Sequence, residues 1–158
     1  MTFTDTDKLK ALAIVNVFET SLPFGDYAAC VLLNDGAGLS YGINQFTHRS
    51  GSLLEVAVRY LKNGGRIGRG VIEESLPLLK SNSRRSIRGL AANQRFVMAL
   101  KAAARTREMR LAQNEIASEK YLLPAIEACE SSRFALPLTL AVIYDSINHG
   151  SWERFAIG

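Results

Sequence analysis

Two carboxylic acids stand out for where they sit. Glu19 closes an apolar stretch holding Ile14, Val15, Val17 and Phe18, and Asp35 lies sixteen positions later within Asn34-Asp35-Gly36-Ala37-Gly38. Acid-assisted hydrolysis of a glycosidic bond needs two carboxyl groups in unlike surroundings. One keeps its proton near neutral pH and gives it to the leaving oxygen, while the other stays ionised and activates a water. Apolar neighbours disfavour the charged form, so Glu19 suits the acid; a wet, Gly-lined turn suits Asp35 as the base. The pair is expected to confront each other across a groove, with a carboxyl separation of about 6.5 to 9.5 Å for inversion or about 5 Å for retention. An acid at a helix end and an Asp in a turn are also ordinary structural choices, and the residues alone leave both readings open.

Other side chains able to touch a ligand are few. Tyr41 and Gln45 alternate along the segment after Asp35 and are candidates to line a groove. His48 follows them, either as a sugar contact or as a solvated loop histidine. His149 stands before Gly150 at the end of an apolar stretch, where a cation is favourable beside a helix C-terminus. Trp152, the sole tryptophan, either stacks on a sugar ring or covers that helix end. The two histidines are far apart and no ligand spacing for a metal is present.

The elements that must position these residues follow from periodicity and punctuation. Thr4 with Asp7 three later resembles a capping box, and Leu9, Leu12, Ile14, Val15 and Phe18 recur at helical spacing, which predicts a helix over 5–20. Pro23 and Gly25 break the chain. A strand over 28–33, a turn at 34–38 and a second strand over 39–46 then predict a hairpin with Asp35 at its tip. Ser50 or Ser52 is expected to cap the next helix, which Asn63-Gly64-Gly65 ends. Helices are predicted at 69–80, 90–104, 106–131 with a kink or break at Pro124, and 134–149. The fold class is therefore mainly α (α+β), with one small antiparallel hairpin near the N-terminus.

Length and composition agree with one domain spanning 1–158. The chain has 158 residues, of which 47% are hydrophobic and 22% charged, enough for a real core and unlike a disordered chain. Apolar runs such as Leu140 to Ile143 fall far short of a membrane span. The first nine residues carry Asp5 and Asp7 where a secretory leader would be basic, so export by another route, or by a leader already removed, is expected if the target is an extracellular or cell-wall polymer. Cys30 and Cys129 read as buried thiols, although one bridge between them stays open. The net charge of +4 is unevenly spread. Lys80 to Arg110 holds nine basic residues against Glu108 alone, so that segment is +8 and the remainder −4. Such a run attracts polyanions or simply solvates helix faces. Arg84, Arg85 and Arg88 flank a Ser-rich stretch that reads as a loop. Nucleic acid is not the expected partner, since there is no helix-turn-helix spacing, no zinc-finger set and only Phe96 as a ring within the basic run.

Glu19, the run Asp35-Gly36-Ala37-Gly38-Leu39-Ser40-Tyr41-Gly42-Ile43, then Phe46-Thr47, Gly51 and Leu53-Leu54 resemble the N-terminal active-site block of family 46 chitosanases and their lysozyme-superfamily relatives. A second block agrees in order: Gln113-Asn114, Tyr121, Pro124, Tyr144-Asp145 and His149-Gly150. The resemblance implies a lysozyme-like helical fold and an endo-acting, inverting glycosidase of β-1,4-linked amino-sugar polymers that uses no cofactor. It places Glu19 as general acid and Asp35 as general base. Ser40 stands where the family has a threonine that helps hold the attacking water, and a serine hydroxyl donates and accepts equally well. Tyr41, Gln45, Thr47 and His48 become the expected substrate contacts. Asp145 matches an aspartate whose ion pairs with later arginines orient the acid. The helices bearing those arginines have no counterpart before Gly158, so the sequence reads either as a fragment or as a chain in which another segment replaces them. Arg154 is the one arginine after Asp145. Chitosan is a polycation and peptidoglycan is anionic, so the +8 segment favours the wall polymer if it faces the substrate, and the polymer stays open between the two. A non-catalytic polysaccharide-binding module that retains the scaffold is the alternative.

Overall fold

The computed structural model describes residues 3–21 and 23–152, without the side chains of Glu19 and Thr20. Its elements in order are α1 (Asp5–Thr20), β1 (Cys30–Leu33), β2 (Gly38–Tyr41), β3 (Phe46–Thr47), α2 (Ser52–Lys62), α3 (Arg69–Lys80), α4 (Arg84–Ala92), α5 (Gln94–Ala103), α6 (Arg107–Ala117), a π-helical turn (Ser118–Leu122), α7 (Leu123–Ser131) and α8 (Pro137–Asn148). The fold is mainly helical with one small antiparallel sheet, as expected. It divides into two compact units, one of residues up to Gly25 together with those from Ala117 onward, the other of Asp26–Ile116.

In the first unit α1 begins where the sequence says it should. Thr4 Oγ1 accepts the Asp7 N–H at 3.2 Å and an Asp7 carboxylate oxygen accepts the Thr4 N–H at 3.0 Å, which satisfies two donors that the first turn would otherwise leave unpaired. Ser21, in the left-handed region at φ 60°, ends the helix by donating its N–H to the Val17 carbonyl at 2.9 Å. Ala11 and Val15 of α1 pack with Ala125 and Cys129 of α7 and with Leu140, Ala141, Ile143 and Tyr144 of α8 around one apolar core. Tyr121 meets Tyr144 edge to face at 6.4 Å between ring centroids. The expected break at Pro124 takes the form of the π-helical turn before it. A proline has no N–H to donate and its ring crowds the carbonyl four residues back, and the wider turn over Ser118–Leu122 accommodates both.

The second unit carries the sheet, in order β1-β2-β3 with both pairings antiparallel. Cys30 pairs with Tyr41 and Leu33 with Gly38, so the hairpin expected around Asp35 is present. The expected second strand over 39–46 is two strands. A turn at 42–45 interrupts it, with Gly42 and Gln45 both in the left-handed region, and Phe46–Thr47 returns as β3 with Ser40 opposite Thr47. All four residues of β2 are buried, because α4 and α5 cover this sheet as well as the helices beyond β3. Two helix starts also differ from expectation. The α2 N-cap is Gly51, with no side-chain cap, while Ser50 and Ser52 turn their hydroxyls to Thr47 instead. Residues 84–89, expected as loop, join 90–92, expected to open the helix over 90–104, in α4: Ser83 caps it by accepting the Ser86 N–H at 3.1 Å, and Ile87 and Leu90 form its buried stripe. Gly38 lets α4 come close. It has φ +82°, and a Cβ there would lie 2.6 Å from a methyl carbon of Ile87. Both cysteines are free thiols. Among the described residues no helix is long and apolar enough to cross a membrane.

Candidate active site

Asp35 sits in the turn 34–37 between β1 and β2, exposed to solvent. Its Oδ1 accepts the Ala37 N–H at 2.9 Å, an Asx turn that fixes the carboxylate relative to the hairpin. Arg49 closes over the same turn. Its N–H donates to the Ala37 carbonyl at 3.1 Å, and its Nη1 lies 3.5 Å from where a Cβ on Gly36 would stand. The turn opens onto a cavity of about 580 Å³ whose lining includes Asp35, Arg49, Asn82, Arg84, Ile87 and Arg88. Arg84 and Arg88, four apart on α4, share one helical face. The periodicity of Ile87 and Leu90 behind the Ser83 cap is the signal that could have placed them on a helix beside Asp35.

Ser40 lies on β2 and is 4% exposed, between Val31 and Thr47 in register. Thr47 donates its hydroxyl to Ser50 Oγ at 2.9 Å, and Ser50 Oγ and Ser52 Oγ are 2.7 Å apart, so these hydroxyls order the entry to α2. Gln45 is exposed at the turn between β2 and β3. Two of the expected substrate contacts need correction. Tyr41 is fully buried, and its hydroxyl donates to the Leu100 carbonyl of α5 at 2.7 Å; burial pushes its phenol well above the usual range. His48 is fully buried too, with Nε2 at 3.0 Å from both the Leu78 and the Ser81 carbonyls. Two carbonyls on one nitrogen assign the proton to Nε2, which ties the turn after β3 to the end of α3. Neither side chain presents surface to a ligand.

In the first unit, Glu19 belongs to the last turn of α1, and its side chain lies outside the described residues. Asp145 is on α8, where His149 Nδ1 stands 3.3 Å from its Oδ1 and 2.9 Å from its backbone carbonyl. His149 therefore caps α8, as its position suggested. Arg154 lies outside the described residues. Trp152 packs against the apolar core of this unit. Among the described residues no three His, Cys, Asp or Glu side chains gather as metal ligands would.

A model of glycosyl hydrolase family 46 matches residues 6–155, almost the whole chain and every candidate residue above. The chain belongs to glycosyl hydrolase family 46. A curated relative, the chitosanase of Bacillus subtilis strain 168, is 28% identical over 147 residues, covering 92% of this chain and 52% of the relative. Among solved structures, a GH46 chitosanase from Gynuella sunshinyii in complex with chitotetraose superposes with a TM-score of 0.82 at 26% identity, over 95% of this chain and 61% of that one. The native chitosanase of Bacillus subtilis MY002 gives a TM-score of 0.81 at 25% identity, over 94% and 61%. This family 46 chain thus has the chitosanase fold and spans between half and two-thirds of the length of these relatives.

Proposed function

We propose that this family 46 chain is an endo-acting glycoside hydrolase that cleaves β-1,4-linked amino-sugar polymers, chitosan-type or peptidoglycan glycan strands, with inversion at the anomeric carbon. The observation that carries the reading is the family match over residues 6–155, with a curated chitosanase relative and a solved neighbour that holds chitotetraose. It is joined by an exposed carboxylate pinned on a Gly-rich turn, where water can reach it.

Glu19 gives its proton to the bridging oxygen as the C1–O bond breaks. Asp35 takes a proton from a water that attacks C1 from the opposite face, so the new hemiacetal carries the inverted configuration. Ser40 helps hold that water, Gln45 and Thr47 contact the sugar, and Asp145 with His149 belongs to the supporting network. No metal or cofactor enters these steps. Under this reading 1–158 is one catalytic domain, by itself or as a fragment of a longer chain.

Incubation with soluble chitosan and with purified murein glycan strands tests the proposal, read by new reducing ends and by proton NMR of the first anomer formed. New ends with the α-anomer first support it. Binding without new ends identifies a non-catalytic module, and the β-anomer first rejects inversion.

A further inference from the structure

The cavity beside Asp35 has a charge at odds with the polymer that the chitosanase relatives act on. Its lining brings Arg49, Arg84 and Arg88 around one carboxylate, Asp35, a balance of three positive groups against one negative. All three arginines are exposed at the cavity. None of the salt bridges seen among the described residues involves them. A protonated glucosamine chain entering here would meet like charge.

Two features make the cluster a built one rather than a scatter of surface charge. Arg49 is fixed by its backbone bond to the Ala37 carbonyl, across the same turn that Asp35 organises. Arg84 and Arg88 are carried by α4, whose Ile87 seats against Gly38 at the base of that turn. The Asn82 amide lies at the same cavity, and Arg84 is in the first turn of α4, where the helix dipole is positive. Guanidinium groups offer paired N–H donors whose spacing matches the two oxygens of a carboxylate.

We propose that the Arg49–Arg84–Arg88 cavity binds a carboxylate carried by the glycan strand, so that the substrate of this chain is an anionic amino-sugar polymer rather than polycationic chitosan. The inference rests on the glycoside hydrolase reading above and names its substrate class. A carboxylate on a sugar one or two residues from the scissile bond would dock against the arginines while Asp35, on the same turn, faces the reacting carbon.

The test is equilibrium binding, so that it stands apart from turnover. The probes are peptide-stripped murein glycan strands, whose N-acetylmuramic acid units carry carboxylates, the same strands with those carboxyls converted to amides, a chitosan hexamer and an oligothymidylate of matched charge. The proposal expects the acidic strands to bind at least about tenfold more tightly than the amidated ones, with the gap closing as salt is raised. The gap should vanish in R84E/R88E and shrink in R84Q/R88Q, a milder pair that guards against misfolding, with circular dichroism unchanged in both. Equal binding of acidic and amidated strands overturns it, as does an undiminished gap in both double variants, or oligothymidylate binding as tightly as the glycan. Carboxylate-selective binding without cleavage of any strand would uphold the inference and reject the hydrolase reading; cleavage without carboxylate selectivity would do the reverse.

Discussion

Gln113 fills the space that a side chain at Gly42 would need. Its carboxamide oxygen accepts the Ile43 N–H at 3.1 Å and its nitrogen donates to the Tyr27 carbonyl at 2.9 Å, so one fully buried amide of α6 holds the turn after β2 and the segment before β1. A Cβ on Gly42 would overlap that amide, and the backbone there has φ +76°. Gln113→Ala leaves one buried donor and one buried acceptor unpaired, and a loss of roughly 2 to 4 kcal/mol is expected. Gly42→Ala should lose about 2 kcal/mol or more through strain and overlap. Urea denaturation measures both, and a loss below about 0.5 kcal/mol for either would contradict the packing described.

What the sequence could say about this region depended on how many faces of each element are buried. The limits of α1 and α3 were legible, α1 from its capping box. Alternation along 39–46 suggested that Tyr41 lines a groove. Alternation decides a face only when one side of the sheet is wet, and β2 is buried on both. His48 was read as a sugar contact or a solvated loop residue for the same reason: nothing local reveals that the end of α3 lies over it. The nine-residue α4 was hidden because its stripe is only Ile87 and Leu90 among arginines and serines, and its place against Gly38 is a tertiary fact. Asp35 at a hairpin tip was legible because Asn, Asp and Gly announce a turn by themselves. The charge run from Lys80 to Arg110 was legible as charge but not as geometry. Part of it lines the Asp35 cavity, and Arg105, Arg107 and Arg110 line another of about 420 Å³, where the Arg110 guanidinium lies 5.4 Å from the Tyr27 ring centroid.

The buried Tyr41 phenol sets an alkaline limit to stability. Burial is the main cause that raises its ionisation above the ordinary value, so the folded form keeps its proton at a pH where the unfolded chain has lost it. Stability from this group is full below about pH 10 and falls as pH rises further, by about 1.4 kcal/mol per unit. Tyr60, raised first by burial, acts in the same sense. Tyr41→Phe should flatten the fall while lowering neutral-pH stability by about 1 kcal/mol for the lost bond to Leu100. An unchanged alkaline slope in urea titrations at pH 9 to 11 would contradict the assignment.

His48 is expected to matter for stability rather than for substrate. Its Nε2–H serves the Leu78 and Ser81 carbonyls, while its Nδ1 is buried with no hydrogen-bond partner. His48→Ala removes the link to the end of α3 and opens a cavity, for a loss of about 3 kcal/mol. The KM for any glycan substrate should stay within about twofold of the parent at a temperature where the variant is folded. A large rise in KM with stability intact would return His48 to the substrate groove.

The first helix offers a smaller test. Thr4→Ala removes the N-cap acceptor and the partner of Asp7, and about 1 kcal/mol should be lost. Hydrogen bonds from Thr4 hold the Asp7 carboxyl below its ordinary range. That contribution is present above about pH 4 and disappears as pH falls through the lowered value. Thermal melts of the parent and Thr4→Ala should therefore differ less at pH 2 than at pH 7, without becoming equal, because the Asp7 N–H bond to Thr4 Oγ1 does not titrate; a constant gap would reject the carboxylate half of the capping box.

The central claim is that Asp35 and Glu19 are the base and the acid of one hydrolytic reaction, and initial rates of reducing-end release by Asp35→Asn and Glu19→Gln, on chitosan and on murein glycan strands, test it most directly. Each single replacement should lower the rate by at least about a thousandfold on whichever polymer the parent cleaves, with melting temperature and glycan binding retained. Parent-like turnover by either folded variant would contradict the account.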